Sequence, residues 1–517
     1  MANLFENKDR RVIPNWREFD KTVFLGELDF YHTAKLSKPT PDISNYIQDW
    51  IANKSVIHAA ELVSAAVVNN VRNDINVLQA AKFIIQRPKE STISQLSLSV
   101  DLLKAENESD LRAESNLLEN DDLTDTAQMK IIHRKIANLR VILKQFPNAI
   151  SYVELARCFS IIGLKDKASD AMKKALHMGS NNRFVLRSAS RLFVHNGDFE
   201  LAHDILRRNA LTLIDPWLLS AEISVAMIQE RSSRFVKKGL ELINSKNISP
   251  FNFTELASSL ATLEMNEGSI KKSRKLFMQS LLKPNDNSLA QIEWASHKDG
   301  QQQFNPALLS GVNLNYEALS SECYYSKQFR AAITNAIKWF NDMPYSKRPI
   351  MFASSVASSI MNDQETAISL AKAGLVSHPN DASLINNLAY ALALNDQPNE
   401  ALEWLSKIKI GDDIDDTTKT CIMATKGLIM FRNGNAKIGR KLYFDALEMS
   451  KSLTSHFLNW KAILNYAREE LLIRSEFVEA IMETVARIPE SVDHIEIAIL
   501  RKRVIMLYER YKQNIMS

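Results

Sequence analysis

Glycine and proline are both scarce, 13 and 14 in 517 residues. A sheet-rich chain needs many turn residues of those types, so their scarcity favours helices joined by short loops. The three cysteines, Cys158, Cys323 and Cys421, are far apart and odd in number. That is a poor disulfide framework and a poor metal site, and it suits a reducing compartment. No run approaches the roughly 18 apolar residues of a membrane span. The first eleven residues are charged and lack the apolar core of a signal peptide, so a cytoplasmic protein with no membrane partner is expected. The net charge of +4 gives no global argument for nucleic acid or membrane, and any electrostatic argument must be local.

Motifs of chemistry are missing too. There is no Gly-x4-Gly-Lys-Ser/Thr phosphate loop, Gly-x-Gly-x-x-Gly turn, His-Glu-x-x-His, Cys-x-x-Cys or Gly-x-Ser-x-Gly. The ten histidines are scattered; His195 and His203 are the nearest pair, eight residues apart. Two surface histidines explain them better than a metal site completed by Asp198. The expectation is a protein without catalytic residues, metal or cofactor.

What is present is a period. Gly163 and Gly197 lie 34 residues apart, as do Phe159 and Phe193, Ala168 and Ala202, and Met172 and Leu206. A fixed interval of this length marks a repeat array, and 517 residues are too many for one compact core. In the unit starting near Ala149, Val153, Leu155, Ala156 and Phe159 lie on one helix, which Gly163 ends. Ala168, Met172, Ala175 and Leu176 form the apolar face of the next. The small residue admits a close partner helix, and the large residue one turn later fills the groove between the two. A single helix pair leaves an apolar face open, so each needs a neighbour.

This pattern resembles the tetratricopeptide repeat (TPR) family, with its tight-turn glycine, second-helix alanine and closing proline. Leu319, Ser320, Phe329, Ala332, Ala336, Trp339 and Pro344 match one unit; Ala367, Ala371, Gly374 and Pro379 match part of another. Leu388, Ala389, Ala401, Leu405 and Ile408 match a third. Gly427, Gly434, Gly439, Tyr443 and Ala446 match a fourth, with Gly439 where alanine is usual. The resemblance covers about 130–450 and implies an all-α fold, a right-handed superhelical solenoid of antiparallel helix pairs.

The expected organisation is an aromatic-rich arm or cap at 1–54, degenerate helical repeats at 55–104 and an acidic linker at 105–126. TPR-like blocks follow at 127–284 and 316–450, separated by an irregular break at 285–315, with C-terminal helices and a cap at 451–517. The arm carries Trp16, Phe19, Phe24, Tyr31, Tyr46 and Trp50, either laid on the first hairpins or offered to a partner. The linker holds eight acidic residues against Arg112; it is a solvated connector or a mask for a basic groove. The last helix places Ile497, Leu500, Val504, Leu507 and Tyr511 on one side, as a terminal cap requires.

The best-defined local signal is basic. Arg183, Arg187, Arg191 and His195 recur every fourth residue, so they share a helix face, and Arg157 holds the place matching Arg191 one unit earlier. The resemblance implies that first helices line the concave side, which puts this stripe in the groove. Either it meets acidic groups of a protein or peptide partner, or acids of the adjacent unit neutralise it. A second basic run, Lys271, Lys272, Arg274 and Lys275, opens a second helix, where positive charge is mildly unfavourable. The leading expectation is a scaffold or adaptor binding a partner in its groove. The alternatives are a regulatory or sensor subunit controlling a partner enzyme such as a nuclease, and a nucleic-acid binder. The last needs basic and base-stacking groups in every unit, whereas the stripe is confined to one or two. Oligomeric state is not encoded in any of these signals.

Overall fold

The structure is a computed structural model. It describes residues 11–18, 43–68, 71, 74–92, 95–100, 102–103 and 126–516, apart from 246–247, 300–303, 410, 412–413, 454 and 491–493. The acidic run, Phe19, Phe24 and Tyr31 lie outside the described residues. The chain divides into two units, Asp20–Asp122 and the remainder.

The smaller unit contains α1 (Ser44–Ala52), α2 (Val56–Val68) and α3 (Ile75–Ile85). Trp50 of α1 is buried against Phe83, with ring centroids 4.9 Å apart, and joins Ala59, Leu62, Val63, Ala66, Ala81 and Ile84 in one core. The stretch 1–54 is therefore shared between units, because Trp16 packs in the larger one.

The larger unit begins with α4 (Thr126–Gln145), α5 (Ala149–Ile161), α6 (Lys165–Met178), α7 (Arg183–Asn196) and α8 (Phe199–Arg207). It continues with α9 (Pro216–Ile228), α10 (Val236–Asn244), α11 (Pro250–Asn266), α12 (Ile270–Ser280) and α13 (Asp286–Asp299). Then come α14 (Tyr316–Tyr325), α15 (Phe329–Asp342), α16 (Arg348–Ser355), α17 (Gln364–Ser377), α18 (Ala382–Leu394) and α19 (Pro398–Ser406). Last are α20 (Asp416–Arg432), α21 (Ala436–Ser452), α22 (His456–Leu472), α23 (Val478–Ala486) and α24 (Ile495–Met516). No strand occurs among the described residues, and no described helix is long and apolar enough to cross a membrane.

The helices form TPR-like pairs, and the turn inside each pair shows why the period exists. Gly163, Gly197, Gly268 and Gly434 all have positive φ, between +72° and +83°. Glu230, Lys327, Asn362, Asp396 and Arg474 hold the same left-handed conformation at the corresponding turns, without glycine. A left-handed residue ends the first helix and reverses the chain. It recurs from 163 to 474, so the structural register fills the gaps between the glycines and extends past Gly434, the last of them. Second-helix alanines Ala168, Ala202, Ala332, Ala367 and Ala401 are buried, which lets the paired helices approach closely. At Gly439 a Cβ would lie 2.5 Å from the Phe431 ring, so even alanine is too large there. Most first helices start at a side-chain cap: Asn148, Asn182, Asp215, Asp381 and Asp415 each accept a backbone N–H from two or three residues on.

The stretch 285–315 contains the full helix α13 and a 3₁₀ segment, Pro306–Gly311. Helix α13 packs between α11 and α14. It thus takes the place of a first helix, with the 3₁₀ segment where a second helix would follow. Farther on, α16 runs into a π-helical turn, Val356–Met361. Arg503 of α24 donates to the carbonyls of Ser359 (2.8 Å) and Ile360, which this wider turn leaves without ordinary helical partners. Ile497, Leu500 and Val504 of α24 are buried against the preceding helices, with Leu507 and Tyr511 at the margin.

The array also touches itself at long range. Ser377 Oγ donates to the Ile161 carbonyl at 2.7 Å, and a Cβ on Gly163 would meet the Val376 carbonyl at 3.0 Å and Pro379 Cδ at 3.2 Å. Trp339, Met343 and Tyr345 share one core with α5, α6 and α7. The start of the array and its α15–α18 region are therefore packed together.

Candidate functional site

Where these two regions meet, the chain's own residues 11–18 lie between them without helix or strand, turning once at Val12, where Ile13 N–H donates to the Arg11 carbonyl at 2.8 Å. Val12, Pro14 and Trp16 are buried, whereas Ile13, Asn15 and Arg17 are half-buried. That alternation is the period of an extended backbone, with every second side chain turned to the wall. Trp16 is 1% exposed and sits 5.2 Å from Tyr345, ring centroid to centroid.

Polar contacts fix the other face. Arg17 Nη2 lies 2.6 Å from Asp286 and its Nε 2.6 Å from Asp342, so one guanidinium spans α13 and the end of α15. Asn15 donates to the same Asp286 oxygen at 2.6 Å. Asn287 Nδ2 donates to the Ile13 carbonyl at 2.9 Å, a backbone contact that any residue at that position could accept. Glu18 pairs with Lys135 of α4 and, at 3.2 Å, with Arg157 of α5. Burial works against the charge on Arg17, but Asp286 and Asp342 outweigh it and hold the guanidinium above its ordinary pKa. Burial also pushes the Asp342 carboxyl up, against the opposing pull of Arg17. The segment is tied to the groove by both shape and charge.

The arginine stripe borders this segment and is largely paired. Arg183 Nε meets Asp215 at 2.7 Å, and Arg187 Nη2 meets Glu255 at 2.8 Å while its Nη1 donates to the Trp217 carbonyl at 3.1 Å. Burial lowers the Arg183 pKa, with Asp215 opposing. Arg157 is buried between Glu154 (3.2 Å) and Glu18. Arg191 differs: it has no carboxylate partner among the described residues, and lies over the Tyr345 ring at 5.5 Å with a long contact to its hydroxyl. It lines a cleft with Arg11, Asn15, Asn287, Glu317 and Arg348. Glu255 connects stripe and segment, because it accepts from Arg187 and from Asn287 (3.3 Å), which in turn holds the Ile13 carbonyl.

Of the two histidines expected at the surface, His203 is buried and His195 is half-buried against other rings. His195 packs edge-on against Tyr345 and His378, at 5.4 and 5.0 Å, and burial drives its pKa well below the usual histidine value. His203 is buried with Nε2 2.9 Å from Glu222. They serve different contacts, one toward the α15–α18 region and one toward α9. Helical spacing alone did not show this, because both partners come from other repeats.

The remaining chemical groupings are internally satisfied. Glu293, His297 and Glu322 come within 4.8 Å of one another. Glu293 accepts from Ser321 at 2.6 Å and lies 3.0 Å from His297 Nε2, while the His297 ring stacks on Tyr325. This is a polar junction between α13 and α14. Cys158 is fully buried, which raises its thiol pKa. In the Lys271 run, Lys272 pairs with Glu264 of the preceding helix.

Neither a protein-family model nor a curated protein matches this sequence. Among solved structures, yeast Tom70 is similar at 14% identity over 74% of this chain and 93% of that one, with a TM-score of 0.28. A human IFIT1 dimer with PPP-AAAA aligns at 12% identity over 94% and 96%, TM-score 0.32. Naa15/Naa10 bound to HypK-THB aligns at 14% over 91% and 82%, TM-score 0.27. The TPR-like fold rests on the helix pairs and left-handed turns of this chain itself.

Proposed function

We propose that this protein is a non-catalytic scaffold that holds an extended segment of a protein partner in its groove. One observation carries the reading: the groove accommodates an extended peptide, its own residues 11–18, through alternate buried side chains and a hydrogen bond to the peptide backbone. Extended recognition of this type draws affinity from backbone contacts and specificity from alternate side chains. Carboxylate pairing of Arg157, Arg183 and Arg187 leaves little free positive charge for a phosphate backbone, which favours a protein over a nucleic-acid partner. Arg191 is the stripe residue best placed to meet an acidic group of the partner.

The test is an Arg191→Glu variant beside Met278→Glu, which alters an exposed residue of α12 (67% exposed). Partners are identified by quantitative mass spectrometry after tagged purification from the source cells, with folding checked by circular dichroism. A defined partner should be lost with Arg191→Glu and kept with Met278→Glu. Retention of every partner by folded Arg191→Glu would count against groove recognition.

A further inference from the structure

We propose that the groove recognises a partner segment whose chemistry copies residues 11–18: extended, with apolar residues at alternate positions, an aromatic ring at the last of them and a basic residue next. The resident segment is then a tethered competitor for that partner. This rests on the groove-scaffold reading and names the partner's chemistry.

Three features of the site support it. The first is charge. Asp286 and Asp342 come from helices far apart in sequence, and both are directed at Arg17. Without a cation there, two half-buried carboxylates would face one another, so any substitute occupant must supply one. The second is the aromatic seat. Trp16 fills a recess beside Tyr345, but its indole Nε1 is buried with no hydrogen-bond acceptor among the described residues. A buried N–H without an acceptor weakens the fit, so the resident ring occupies the seat imperfectly. Phenylalanine in a partner, with no polar hydrogen on its ring, would avoid that penalty. The third is the backbone contact from Asn287 to the Ile13 carbonyl, which is indifferent to sequence. The wall therefore specifies an aromatic residue followed by a basic one and tolerates variation elsewhere.

Tethering sets the competition. A segment on the same chain competes intramolecularly, at an effective concentration set by its connection, so a free peptide should bind the wild-type protein poorly. The probe is a fluorescein-labelled synthetic peptide with the sequence of residues 9–20, followed by anisotropy. The proteins are full-length wild type, the opened variant Trp16→Ala/Arg17→Ala, and the opened variant with Asp286→Asn/Asp342→Asn added. The opened variant should bind the peptide at least tenfold more tightly than wild type. Replacing the peptide's tryptophan by alanine, or the arginine after it by glutamate, should remove that gain, whereas phenylalanine for tryptophan should keep it. The added Asp→Asn changes should also remove it.

Circular dichroism and light scattering establish whether the opened variant stays folded and monodisperse. If it is folded and binds no better than wild type, or if it unfolds, the proposal is overturned; in the second case residues 11–18 are an inseparable part of the core. The two readings fail differently. Partner loss in Arg191→Glu that is insensitive both to opening and to competing peptide leaves the scaffold reading standing and removes this one. Partner retention in Arg191→Glu removes the scaffold reading itself.

Discussion

Gly163 and Gly197 are equivalent by period, yet the structure separates them sharply. Both have positive φ, +72° and +83°, so alanine at either position is forced into the left-handed region. That costs about 1–2 kcal/mol, and the lower entropy of the unfolded alanine chain returns part of it, leaving a net loss of roughly 0.5–1 kcal/mol. At Gly197 nothing lies within 4 Å of the new Cβ, so the account ends there. At Gly163 the Cβ would lie 3.0 Å from the Val376 carbonyl, 3.2 Å from Pro379 Cδ and 3.3 Å from the Ser377 carbonyl. Two of those three atoms are backbone and cannot rotate away. Overpacking of this kind adds about 1–3 kcal/mol, or the long-range contact opens and the Ser377–Ile161 hydrogen bond is lost. Gly163→Ala should therefore destabilise by about 2–4 kcal/mol and Gly197→Ala by about 1 kcal/mol or less. Urea denaturation monitored by circular dichroism measures the difference. Hydrogen exchange then locates it: amides around Tyr345 and Ser377 should exchange faster in Gly163→Ala only. Equal losses in the two variants, or exchange changes confined to the α5–α6 turn, would refute the reasoning.

The other left-handed turns make the opposite prediction. Lys327→Gly and Asp396→Gly, at φ +60° and +56°, should each raise stability by roughly 0.5–1 kcal/mol in the same assay. Trp16→Ala should cost about 3–5 kcal/mol, whereas Trp16→Phe, which removes the buried N–H, should cost under about 1.5 kcal/mol; thermal melts compare them. His378 donates from Nε2 to the Tyr345 carbonyl at 2.8 Å, and burial lowers its pKa to about 4. The unfolded chain takes up this proton below about pH 6.5 and the folded chain only near 4. Stability from neutral His378 is therefore present above 6.5 and falls as pH drops through that window. Between pH 7 and 5 the loss is about 2 kcal/mol for this group. His378→Gln should flatten the dependence in that range, and an unchanged slope would remove His378 as its source.

The period read from Gly163 and Gly197 gave the helix pairs because sequence and geometry share one local cause, a left-handed residue that ends the first helix. Where Glu230 or Arg474 takes that conformation the same turn forms but leaves no glycine to notice. Tertiary packing enforced it there, and local composition could not reveal it. The stripe Arg183–Arg187–Arg191 was visible as a helix face, since its spacing is local. Its neutralisation by acids of neighbouring units was one of two expectations, and local spacing could not decide between them because Asp215 and Glu255 lie 32 and 68 residues away from their partners. Trp16 stood out as an aromatic in a charged arm, and its destination beside Tyr345, more than three hundred residues on, depended on how the repeats curve. Local regularities of the chain carried the fold, and long-range pairings made the site.

The Ser377–Ile161 contact has a consequence for how the molecule comes apart. An open row of repeats, each touching only its neighbours, melts like a zipper from its ends, through many partly unfolded states. A row whose early and late members are fastened together is instead a closed circuit. Fraying of α5–α8 then removes support from α15–α18 as well, so the enclosed segment should respond to denaturant as one cooperative block. The repeats beyond that clasp are fastened back as well, because Arg503 of α24 holds the Ser359 and Ile360 carbonyls that follow α16, so α20 to α24 should not fray from the end alone. Two such seams, Ser377 to Ile161 and Arg503 to Ser359, thus turn a uniform-looking array that would fail by degrees into one that should fail together.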